Sequence, residues 1–254
     1  MNMFWYHRDD IFAQSLQIGF KTFSVGHLAW LFSIAVVCCL CGMLYRRLSE
    51  SGRDNMRKGI SLSILALEAA KIIVMGLFRV NNAEFLPLHL CSLGGACTIV
   101  SAMWPRMKGM NGFFAFAFFP AALLAVVFPS TTMYPFWNFY CLHTFLYHAL
   151  IILYFIIRYM AGEIHPKYQD MWLGYALIIL VGLPVYAING AFNVNYMFLG
   201  FRSDVGILAT LWDMVTPVLG RPGYAAALAL IMLIVVHLFY LIYTGIEKIR
   251  TNHR

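Results

Sequence analysis

Charge is what this chain has least of. Only 11% of its 254 residues are Asp, Glu, Lys or Arg, against about a quarter in soluble domains. A soluble fold of this length needs a polar shell, and too little polar material exists to build one. Internal repeats, low-complexity tracts and composition breaks that would mark a second domain are missing too. The six cysteines form no CxxC…CxxC spacing, so neither a zinc site nor a disulfide framework is indicated. No metal or other cofactor is expected. The N-terminus lacks the basic region, apolar run and cleavage site of a secretory signal, so no removable peptide is expected.

What is present is apolar. Hydrophobic residues make up 61% of the chain, gathered in runs of about 20, the length that crosses a bilayer as a helix. Seven such spans are predicted, roughly 24–45, 59–79, 86–104, 112–129, 138–160, 171–191 and 223–245. The fold class is therefore all-α, a polytopic transmembrane helix bundle forming a single domain over residues 1–254. The segment 205–220 (VGILATLWDMVTPVLG) is short and carries Pro and Gly. It reads as a re-entrant or interfacial piece rather than an eighth span.

The formal net charge of +7 is distributed as topology, not as a nucleic-acid footprint. Twelve basic residues fall in the loops after the first, third and fifth spans and at the C-terminus, among them Arg53, Arg57, Arg158 and Lys248. Five fall on the opposite side, and Lys71 lies within a span. Positive residues stay cytoplasmic, which predicts an external N-terminus and a cytoplasmic C-terminus. Short loops and the absence of targeting signals suit a multi-pass protein of the bacterial cytoplasmic membrane.

Several polar groups sit where hydrocarbon should reject them. Glu68 and Lys71 are three apart in the second span, share a helix face and can pair. Two readings fit: an ion pair that fixes packing, or a proton relay, head-group contact or tuner of a nucleophile. The third span opens LPLHLCSLGG, with His89 and Cys91 on different sides of a helix and small residues following. Such residues admit a close neighbouring helix. In the fifth span, Cys141, Thr144 and His148 fall on one stripe, with His143 projecting elsewhere. Asn189, Asn193 and Asn195 suit either a wet pocket or helix-end capping. Asp213 is the sole acid of the 205–220 segment, and His237 lies in the last span.

LPLHLCSL, FFPAALLAVVFP, the histidine of the following span and NVNYMFL together resemble the YwaF-type family of multi-pass membrane proteins. The likeness runs from about residue 60 to 245. Eukaryotic relatives of that family are lipid acyltransferases that use a cysteine and a histidine in the bilayer. Carried over by position, the resemblance puts the cysteine on Cys91 and the histidine on His148, with His143 as rival. One departure is visible: relatives often carry an aspartate and a Trp-rich Gly-Pro turn after NYMFL, whereas here Asp213 is followed by TPVLGRPGYA.

What the resemblance implies is acyl transfer between a membrane phospholipid and a lysophospholipid through a thioester, with histidine moving the proton. Glu68, Lys71, His89, Asn189, Asn193, Asn195 and Asp213 are the candidate pocket residues around that pair. A transporter or proton conduit lined by Glu68, Lys71 and the histidines is the alternative. The missing repeat weighs against it, because many secondary transporters have two related halves.

Overall fold

The computed structural model describes residues 3–7, 11, 14, 16–78, 86–105, 107 and 109–252. Five of the basic residues counted above, Arg106, Lys108 and Arg254 among the twelve and Arg8 and Arg79 among the five, lie outside the described residues; Arg79 is also the last residue of the predicted second span. Among the described residues the fold is all helical: α1 (Val25–Arg47), α2 (Glu50–Leu77), α3 (Leu90–Met103), α4 (Met110–Val127), α5 (Phe139–Met160), α6 (Tyr168–Phe192) and α7 (Gly206–Asn252). Six of these are long and apolar enough to cross a membrane; α3 is shorter.

The central helix is α5. Phe145, Ile151, Tyr154, Phe155 and Ile157 are fully buried, and α1, α2, α3 and α4 all pack on it. By contrast α1 shows one buried stripe (His27, Cys38, Gly42, Tyr45) and exposes Leu28, Phe32, Val36 and Leu40. That outward apolar face is what lipid requires. Helix α4 contains a π-helical stretch, Phe114–Phe118. The widened turn leaves the Ala115 carbonyl to accept a bond from the Tyr243 hydroxyl of α7 at 3.0 Å. Pro120 follows just after and has no N–H to donate, so the local ladder is interrupted there.

One predicted element differs from what is observed, and the structure gives a second its form. The third span is not helical from residue 86. Pro87 holds Leu86 away from the helical region, His89 is extended (φ −75°, ψ 147°), and the helix begins only at Leu90. The 205–220 segment is itself helical from Gly206, and a kink at Gly220 (φ 64°, ψ −170°), a conformation suited to glycine, separates this arm from the last span.

One end of the bundle is locked by a buried cluster that the basic-loop argument missed. Arg158 on α5 is only 1% exposed. Its guanidinium donates to Glu163 (3.2 Å), to the Ser101 hydroxyl (2.8 Å) and to the Pro105 carbonyl (3.1 Å). Arg57 of α2 reaches the same Glu163 at 3.4 Å and the Tyr45 hydroxyl at 2.7 Å, and Tyr45 donates to Glu163 at 2.8 Å. Three helices thus meet on one carboxylate, and Ser101 joins α3 to them. Only arginine presents enough donors in a fixed fork to serve so many acceptors.

Arg158→Met keeps the apolar stem but strips this hub of its donors. Removing one partner of a buried ion pair costs about 3–5 kcal/mol. The expected result is a clearly lower thermal midpoint in detergent, with Arg158→Lys recovering only part of the loss. An unchanged midpoint for both would show that the hub carries no stability.

Candidate functional site

A cavity of about 960 Å³ opens between helices α2 to α7 and the loop after α6. That volume lies at the upper end of ligand sites, about 300–1,000 Å³. Most of its wall is apolar, and the polar side chains gather in two places: around Glu68, Lys71, His89, Cys91, Ser92 and the α5 histidines, and at the loop residues Arg202, Ser203 and Asp204.

The first group is built by three helices. On α2, Lys71 donates to Glu68 at 2.6 Å, so the i, i+3 spacing does produce the pair. Ser92 of α3 donates to the same Glu68 oxygen at 3.3 Å. The second oxygen, Oε2, is buried without a partner. On α5, the cavity-lining stripe is Tyr140, His143, Thr144, Tyr147 and His148, with the i, i+3, i+4, i+7, i+8 spacing of one helix face. The sequence-derived stripe is therefore corrected in two respects. His143 shares the face of His148, and Cys141 turns instead into the hydrophobic core.

The two α5 histidines differ in their partners. His148 Nδ1 lies 2.6 Å from the Thr144 carbonyl. A carbonyl only accepts, so Nδ1 carries the hydrogen, and the neutral ring keeps its lone pair on Nε2. His143 stacks on Tyr147 with ring centroids 5.3 Å apart, and its Nε2 is buried without a partner. His237 is a satisfied histidine outside the cavity, its Nδ1 bonded to the Leu233 carbonyl at 2.8 Å.

Cys91 sits in the first turn of α3 and lines the cavity. Gly94 and Gly95 lie one turn below it. A Cβ on Gly95 would collide with the Tyr147 hydroxyl and would meet Ile64 at 2.8 Å. The absence of that carbon lets α3 press against α5, and Tyr147 then donates to the Cys91 carbonyl at 3.4 Å.

The remaining candidates hold the loop after α6, which carries NVNYMFL. Asn189 clamps Tyr196 at both backbone atoms, donating to its carbonyl at 2.8 Å and accepting from its N–H at 2.9 Å. Asn193 closes α6 in the left-handed region (φ 52°). Asn195 accepts from Gly200 (2.8 Å) and Phe201 (3.2 Å) and donates to the Phe201 carbonyl (3.1 Å). His89 accepts from the Met197 N–H at 3.3 Å, so its other nitrogen bears the hydrogen of the neutral ring. Met197 and Phe198 both have positive φ, an unfavourable state for such side chains that this web of bonds maintains. Of these residues His89 and Asn195 line the cavity; Asn189 and Asn193 do not. Asp213 lies outside it and holds Arg202 through bonds of 2.7 and 2.8 Å, both side chains about half exposed.

Sequence reasoning missed Tyr147 and Tyr196. Tyr147 carried a signal, since it falls on the helix face of His143 and Thr144. Tyr196 lies within NVNYMFL, but its role does not show there, because its hydroxyl accepts from Leu86, 110 residues away, at 3.1 Å. Among the described residues no three His, Cys, Asp or Glu side chains come together as a metal site.

Asn189→Leu removes both bonds to Tyr196 and leaves buried backbone groups unpaired, each worth about 1–3 kcal/mol. Amide exchange at Tyr196 and Met197 should accelerate while the α5 amides stay protected. Asn193→Gly, which suits the left-handed cap, should leave exchange unchanged. Equal protection in Asn189→Leu and the parent chain would refute the clamp.

No curated protein sequence and no solved structure matches this chain significantly. The sequence profile of the TMEM164 family does match, over residues 22–243. A multi-pass bundle whose matched region takes in all of α1–α6, nearly all of α7 and every lining residue except His7 is what that match describes, and the chain belongs to the TMEM164 family.

Proposed function

We propose that this protein is a membrane-embedded lipid acyltransferase in which Cys91 is the nucleophile and His148 the base. The observation that carries the reading is the His148 hydrogen bond to Thr144. It presets the tautomer that a general base needs and leaves Nε2 on the face lining the cavity that also contains Cys91. The surrounding wall is apolar and suits acyl chains arriving from the bilayer.

The reaction divides into two halves. His148 Nε2 takes the thiol proton as the Cys91 sulfur attacks an acyl ester carbonyl of a phospholipid. The carbonyl–oxygen bond then breaks. The imidazolium returns its proton to the departing glyceryl oxygen, leaving a thioester and a lysophospholipid. An acceptor hydroxyl next gives its proton to Nε2 and attacks the thioester; the carbonyl–sulfur bond breaks, and the imidazolium returns the proton to the departing Cys91 sulfur. Lys71 contributes positive charge for the anionic intermediates of both halves. Its partner Glu68 keeps the pair neutral between turnovers.

The topology that fits this reading has seven crossings, an external N-terminus and a cytoplasmic C-terminus, in a cell membrane. Helix α3 covers about 21 Å with 14 residues, and the non-helical residues 86–89 lengthen that segment at its N-terminal end. In this topology the two together are the third crossing. Arg53, Arg57 and Arg158 gather at one end of the bundle, which supports that end as cytoplasmic.

Cys91→Ser and His148→Ala should each lower acyl exchange between phospholipids in liposomes at least a hundredfold, the usual scale for a lost general base. Wild-type protein should carry a hydroxylamine-labile acyl mass on Cys91. Activity surviving in His148→Ala but lost in His143→Ala would transfer the base role to His143. The partnerless Glu68 Oε2 and His143 Nε2 also favour a second reading, a proton conduit. Full exchange in Cys91→Ser, with a pH-dependent flux lost in Glu68→Gln, would decide for it.

A further inference from the structure

The apolar side of the cavity is shaped by residues with almost no side chain. Ala121 and Ala125 of α4, Gly182 of α6, and Ala225 and Ala229 of α7 line it, one helical turn apart on α4 and on α7. Protein interiors are packed as densely as organic crystals and hold few voids larger than a water molecule. The apolar side of such a cavity is a poor place for water and a good one for hydrocarbon.

Its shape is long rather than round. On α7 the lining runs from Pro222 to Val235, 13 residues and about 20 Å of helix. On α6 it runs antiparallel, from Tyr186 back to Ile178. Two contacts fix this register: Trp172 packs edge-on against His237, and Tyr175 donates to the Ala229 carbonyl at 3.3 Å. One leaflet's share of the hydrocarbon core is about 15 Å, so the slot is as long as the tail of a membrane lipid. Ala226, beside Ala225, is exposed yet also lines the cavity, which puts an opening toward lipid on this side.

We infer that the groove between α6 and the second arm of α7 is the acyl-chain slot of this protein, and that Gly182, Ala225 and Ala229 set which chains fit. The substrate class is a lipid with a long-chain acyl ester. The inference rests on the acyltransferase reading for its chemistry but not for binding, which the slot performs whether or not Cys91 reacts. Gly182 is the position to test. A Cβ there would touch only the Leu199 side chain, at 3.8 Å. Leucine is also a far better helix former than glycine, so Gly182→Leu fills the slot without breaking α6. Leu180, 70% exposed on the same helix, is the control for ordinary lipid contact.

The experiment uses full-length protein in vesicles containing a phosphatidylcholine with a photoactivatable group near the end of a long acyl chain. Cross-linked peptides are mapped by mass spectrometry in the parent chain, Cys91→Ser, Gly182→Leu and Ala229→Leu. Labelling of cavity-facing positions in 178–186 and 225–235 is expected in the first two. It should fall about tenfold in the last two, while labelling at Leu180 stays constant. A donor with a short acyl chain should still load Cys91 in Gly182→Leu. Cavity-facing labelling that is absent from the parent, or undiminished in Gly182→Leu and Ala229→Leu, overturns the slot. Normal slot labelling with no acyl group ever found on Cys91 leaves the slot standing and removes the acyltransferase.

Discussion

Backbone groups outside a helix have to find partners, and this protein is organised around that constraint. Between Leu86 and His89 the chain is non-helical, with a tight turn at Pro87. The Leu86 N–H donates to Tyr196, the Leu88 N–H to the Leu86 carbonyl, and the His89 ring accepts from Met197. Of these four residues His89 lines the cavity, while Leu86 and Pro87 are exposed. The third segment is non-helical over its first four residues, and the last of them, His89, stands in the wall of the cavity. Cys91 faces it because α3 starts only one residue earlier, at Leu90.

The loop after α6 is the counterpart of that non-helical stretch. Asn189 and Asn195 impose its shape, Arg221 donates to the carbonyls of Leu199 and Tyr186, and its guanidinium lies 4.1 Å above the Tyr186 ring. The positive φ of Met197 and Phe198 costs on the order of 1–3 kcal/mol each. The buried bonds of the asparagines offset it. Strain held this firmly beside a cavity is the pattern of a preorganised site, and it explains why three amides cluster within seven residues.

At the opposite end, Arg158 and Arg57 converge on Glu163 and tie α1, α2, α3 and α5 together. The two ends therefore divide the work. One is a rigid polar lock, the other a loop-walled chamber, with α5 running through both. Small residues matter at each junction: Gly95 admits Tyr147, and Gly42 admits Met160. Without such approaches, packing between helices in lipid has no hydrophobic force to draw on.

The apolar runs were legible because bilayer thickness imposes a length on them: α1, α4, α5 and α6 fall close to their predicted bounds, while α2 starts nine residues earlier, at Glu50. The pairing of Glu68 with Lys71 was legible for a similar reason: helix geometry alone brings i and i+3 together. His143 was misplaced by the same rule, because a helical stripe is wide and only the neighbours decide which part of it faces a cavity. Arg158 read as a loop charge when its partners stand 5 to 57 residues away. By itself, then, the sequence determined an all-helical membrane bundle and the polar residues that such a bundle must shelter, since both follow from local composition and spacing. Only the tertiary structure decided which of those residues share one chamber and which merely hold its walls, because that choice is made by contacts between segments a hundred residues apart.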